Sequence, residues 1–99
     1  MFSHIVIFRA DPANPAADDE LLAGMDKYLR PIPGVLHFHA GKMVPSHRPV
    51  VDQSYQVALN IIFSGKQSQD DYQAHPSHLE FVNTVLKKTR HKVVVYDFA

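Results

Sequence analysis

The chain has 99 residues, 45% of them hydrophobic and 20% charged, a size and composition that predict one compact domain over residues 1–99 built on one core. Its ten acidic and ten basic side chains cancel, removing the positive surface that a nucleic-acid partner requires; the lack of cysteine excludes disulfides, thiolate metal sites and a cysteine nucleophile. No run approaches the roughly 18 apolar residues of a membrane span, and the residues after Met1 carry neither a basic segment nor a long apolar one, so a cytoplasmic protein with no membrane partner is expected.

Taken in chain order, Phe2 to Arg9 is a run of aromatic and β-branched residues that predicts a first strand, closed by Asp11-Pro12. Asn14-Pro15 predicts a helix start: asparagine is a good N-cap, proline is tolerated in the first turn, and Asp18, Asp19 and Glu20 put negative charge at the positive end of the helix dipole. Leu21, Leu22, Met25, Tyr28 and Leu29 then form one apolar stripe, which Pro31-Ile32-Pro33-Gly34 ends. Val35 to Met43 and Tyr55 to Phe63 have strand character, separated by a proline-rich polar connection over residues 45–53. Gln67 to Ala74 fits a short helix, a second helical stretch begins at His75-Pro76 and runs to about Lys88, and Lys92 to Phe98 closes the chain as a valine-rich strand.

The order β-α-β-β-α-β, with the second helical region split in two, predicts an α+β, ferredoxin-like fold with one four-stranded antiparallel sheet and helices on one face. Both faces of the strands are apolar. Phe2, Val6 and Phe8 alternate with Ile5 and Ile7, and Val93 and Val95 alternate with Val94, Tyr96 and Phe98. Helices can cover only one face, so a second copy of the chain is expected to cover the other, its sheet packed on the first as an isologous homodimer.

On a helical wheel, His78 shares an arc with Leu79, Phe81, Val82, Val85 and Leu86, opposite Glu80, Asn83, Thr84 and Lys87. His78 is therefore expected to face inward as a neutral imidazole. With Tyr72 six residues earlier, such a base could take a proton α to a carbonyl while the phenol hydrogen-bonds the developing enolate oxygen. A buried histidine satisfied by backbone or by Tyr72, with no chemistry, explains the same pattern equally well. His4 lies on the strand face of Val6 and Phe8. With these three, Tyr28, Val57, Leu59 and Phe81 complete the expected wall of a small-molecule cavity, although Tyr28, like Tyr55 and Tyr96, is most simply a core or interface aromatic. His37 and His39 share a face, but no third ligand follows from spacing, and neither a metal nor a cofactor is expected.

The segment Tyr72-Gln73-Ala74-His75-Pro76-Ser77-His78, followed by Phe81-Val82 and a terminal Val-Val-Tyr-Asp-Phe, resembles the signature of the stress-responsive A/B-barrel (Dabb) family. So do the opening His4-Ile5-Val6-Ile7-Phe8 and the Ile32-Pro33-Gly34-Val35 after the first helix. The resemblance spans essentially the whole chain and implies a dimeric α+β barrel. Similarity to the polyketide-cyclase branch of the family further implies Tyr72 and His78 as a working pair, with His4 lining the pocket. That branch carries a second pocket histidine where this chain has Val57, which implies a more apolar pocket here. Three functions stay open on these grounds: a binding protein for a small, mainly apolar organic molecule; a cofactor-independent cyclase or lyase; and, by fold analogy, a cofactor-free monooxygenase of the dimeric-barrel type.

Overall fold

The computed structural model describes residues 1–99. Strands β1 (Phe2–Ala10), β2 (Val35–Lys42), β3 (Val57–Phe63) and β4 (Arg90–Phe98) form one antiparallel sheet in the order β2-β3-β1-β4. Helix α1 (Ala17–Gly24) runs on as a π-helical stretch, Met25–Leu29. Helix α2 (Lys66–Ala74) is followed by α3 (Pro76–Glu80), which widens into a second π-helical stretch, Phe81–Leu86, and ends in the turn Lys87–Thr89. The architecture is the ferredoxin-like plan, with all helices on one face.

Alternation decides which side chains are buried. Phe2, His4, Val6 and Phe8 of β1 and Val57, Leu59, Ile61 and Phe63 of β3 point at the helices and are buried. They pack on Leu21, Met25, Leu29, Tyr72, Phe81, Val85 and Leu86 from the helical layer in one continuous core. Fully burying one such side chain is worth about 1.5–3 kcal/mol, so this interface holds the two layers together. The layers of helix also touch closely: a Cβ built on Gly24 would lie 2.6 Å from Val85 Cγ1, so only glycine lets α1 approach the second π-helical stretch this far.

The opposite face of the sheet has no helix over it. Ile5, Ile7, Ile62 and Val94 are half-buried there, and Tyr96 and Phe98 are 59% and 60% exposed. His37 and His39 stand exposed on the same face at the β2 edge.

Two element starts fall two residues inside the expected ones. Helix α1 begins at Ala17, not at Pro15, because Asn14 spends its side chain on a local turn: its Oδ1 accepts from Ala16 N–H at 3.1 Å and its carbonyl accepts from Ala17 N–H. Strand β3 begins at Val57, not at Tyr55. Gln56 crosses to β1 instead, its N–H donating to the Phe8 carbonyl and its Oε1 accepting from Ala10 N–H at 2.8 Å.

Candidate functional site

A break between α2 and α3 creates the site. His75 is extended (φ −66°, ψ 138°) and caps α3, its Nδ1 accepting from Ser77 N–H at 3.0 Å, while Pro76 occupies the first helical position, where a missing N–H costs nothing. Ser77 Oγ donates to the Tyr28 carbonyl at 2.5 Å and pins this corner to the first helical layer. Tyr72, in the last turn of α2, and His78, in the first turn after the break, are thereby set edge to face with ring centroids 5.0 Å apart. His4, reaching up from the middle of the sheet, packs edge-on against the same tyrosine at 6.0 Å.

These three side chains share one end of a cavity of about 420 Å³ between the sheet and the helices. Its walls are mostly apolar, among them Val6, Phe8, Leu59, Phe81, Val93 and Val95, and the exposed Lys66, Asp70 and Gln73 of α2 form a polar rim. A space of this size takes a small organic molecule. Of the residues expected to line it, His4, Val6, Phe8, Leu59, Tyr72, His78 and Phe81 come together. Tyr28 and Val57 do not. Tyr28 is half-buried behind the α2–α3 corner with Lys27 Nζ 5.0 Å from its ring centre, and Val57 is fully buried where β3 pairs with Phe8 and Lys42, so the apolar substitution at 57 alters the core and not the cavity wall.

Asp97 is the member that sequence reasoning missed. It lies directly opposite His4 in the β1–β4 pairing, and His4 Nδ1 and Asp97 Oδ1 are 2.5 Å apart. The available signal was a single carboxylate on the Val93–Val95 face of an apolar strand.

The environment keeps Tyr72 and His78 uncharged. Burial, reinforced by the nearby His4, pushes His78 below the usual imidazole value, and burial alone raises the Tyr72 phenol well above its ordinary value. His78 Nδ1 is buried and has no hydrogen-bond partner. A group left so in a folded protein costs about 1–3 kcal/mol, which is why such atoms concentrate where something else is to be bound. Neutral Tyr72 offers a donor and neutral His78 an acceptor, a pairing suited to a carbonyl, enol or phenol and unsuited to a carboxylate or an ammonium. No three histidine, aspartate or glutamate side chains converge anywhere to hold a metal ion.

The fold and site define an antiparallel, ferredoxin-like α+β domain with a cavity between sheet and helices. The model of the stress-responsive A/B barrel domain matches residues 2–99, and the chain belongs to that family. It is 31% identical over 88 residues to the stress-response A/B barrel domain-containing protein HS1 of Arabidopsis thaliana, covering 89% of this chain and 78% of that one. Among solved structures it is similar to a dimeric ferredoxin-like protein of unknown function from Thermobifida fusca (TM-score 0.80, 20% identity, 99% of this chain and 89% of that one). It is also similar to the hydroxynitrile lyase of Passiflora edulis (TM-score 0.76, 19% identity, 98% and 90%). No helix is long and apolar enough to cross a membrane.

Proposed function

We propose that this single domain works as a homodimer and binds a small, uncharged, mainly apolar organic molecule in the cavity, its polar group held by Tyr72 and His78. The observation that carries the reading is the apolar cavity ending in an unpaired imidazole and a phenol that are both neutral. The dimer is supported by the uncovered sheet face of Ile5, Ile7, Val94, Tyr96 and Phe98, an apolar surface that a second copy would bury, and by the dimeric state given for the Thermobifida fusca relative.

Calorimetric titration with 2-naphthol and with 2-naphthoate tests the ligand class. Saturable binding of the phenol, at least about tenfold tighter than of the carboxylate, is expected from the cost of placing a charge against this wall. Equal affinities, or no saturable binding of either, would sink the reading. For the dimer, sedimentation should show two copies at micromolar concentration and one copy for Ile7→Lys, which sets a charge on the buried sheet face. A wild-type monomer contradicts it.

A second reading, a cofactor-independent lyase or cyclase, is favoured by the placement of a neutral, unpaired His78 imidazole beside Tyr72 on the cavity wall, where it is free to accept a proton. Nothing in the site adds to the monooxygenase reading.

A further inference from the structure

Strand β4 is both the outer wall of the cavity and an edge of the sheet, and each of its faces is short of cover. Val93, Val95 and Asp97 point to the helix side and line the cavity, while Val94, Tyr96 and Phe98 point to the side that no helix covers. Val95 faces the helices yet is 47% exposed, so the helical layer stops short of the edge and the cavity opens along β4. The strand is tied near its two ends. Thr89, fully buried just before it, donates through Oγ1 to the Val85 carbonyl at 2.7 Å, and its own carbonyl accepts from Asp11 N–H; near the other end Asp97 holds His4. Between these ties β4 has β1 as its only strand neighbour, and the register slips between Arg9 and Ala10, leaving His91 without an opposite residue where the strand begins.

We propose that ligand binding in the cavity and pairing of two copies of the chain are coupled through β4, each strengthening the other. An edge strand with one neighbour and apolar side chains exposed on both sides belongs to the least stable part of a fold, and it opens from β1 more readily than the central strands part from each other. A ligand that packs on Val93 and Val95 favours the docked strand; a second copy that covers Val94, Tyr96 and Phe98 favours the same docked strand from the other side. Both draw on one equilibrium, so filling either raises the affinity for the other, by the same factor in both directions. A factor of about five corresponds to β4 docked in about one fifth of lone, unliganded chains. The cavity of a lone chain is thus the weaker site, completed by a partner that does not touch the ligand.

This inference rests on both the binding and the dimer readings above. Ile62→Lys sets a charge on the uncovered sheet face from β3, away from β4, and supplies the lone chain. In calorimetry that variant should bind 2-naphthol at least about fivefold more weakly than the wild-type dimer does. Each dimer fills two cavities, so saturating 2-naphthol should lower the wild-type dimer dissociation constant, read by sedimentation of fluorescently labelled protein, by the square of that factor, about 25-fold. Amide exchange in β4 should slow when 2-naphthol is added to Ile62→Lys. If that variant misfolds or stays dimeric, the wild-type dissociation constant decides alone. A dissociation constant that 2-naphthol leaves unchanged, or equal affinities in lone chain and dimer, overturns the coupling and leaves both readings standing; coupled affinities without slower exchange in β4 overturn the role of the strand. Failure of 2-naphthol to bind the wild type overturns the cavity reading as well, and a wild type that sediments as one copy overturns the dimer reading as well.

Discussion

Replacing His78 by phenylalanine separates the cost of the site from its use. In the wild type Nδ1 is buried without a partner, a penalty of about 1–3 kcal/mol, while the edge-to-face contact with Tyr72 at 5.0 Å is one that a phenyl ring can keep. Part of the gain is lost to fitting the slightly larger ring, so a net stabilisation of about 1 kcal/mol is expected, which for a domain of this length raises Tm by about 4–8 °C. The pH dependence gives the same argument a second reading. His78 is lowered in the folded state, so between that lowered value and the ordinary 6.5 the unfolded chain binds a proton that the folded chain does not. Wild-type stability therefore falls as pH drops through 6.5 and levels off below the folded value, whereas the phenylalanine variant lacks this loss. Its advantage in thermal melts should grow on acidification while binding of 2-naphthol weakens at every pH. A variant that melts lower than wild type, or whose advantage shrinks with falling pH, would refute the assignment of His78 as an unpaired, neutral imidazole.

Gly24→Ala should lower stability by about 1–3 kcal/mol in denaturant titration, because the added methyl meets Val85 Cγ1 at 2.6 Å; combining it with Val85→Ala should recover much of the loss, a non-additivity read from the double-mutant cycle. Ser77→Ala, which removes the bond to the Tyr28 carbonyl, should cost about 1 kcal/mol in the same titration and weaken 2-naphthol binding, since it loosens the corner that aligns Tyr72 with His78.

Most of the fold was legible because strand alternation and helix breakers are local. Pro76 and Gly34 mark real boundaries, and the two apolar faces of β1 announced a sheet buried on one side by helices and left apolar on the other. The boundaries that moved did so where a side chain took over a backbone partner: Asn14 closes a turn before α1, and Gln56 bonds Ala10 before β3 begins. The site was half legible. Tyr72 and His78 are six residues apart across a single break, so local geometry brings them together. Asp97 meets His4 only through the register of two strands 93 residues apart, which no local pattern encodes. Tyr28 and Val57 failed as wall residues for the converse reason, since apolar periodicity shows that a residue faces inward but not which part of the interior it reaches.

The most direct test of the account is the crystal structure of the protein with 2-naphthol bound. The hydroxyl is predicted within hydrogen-bond reach of the Tyr72 hydroxyl and His78, with the rings against Phe8, Leu59 and Phe81. A naphthol seated outside the cavity, or inside it with its hydroxyl turned away from both side chains, would contradict the claim that this cavity is the functional site.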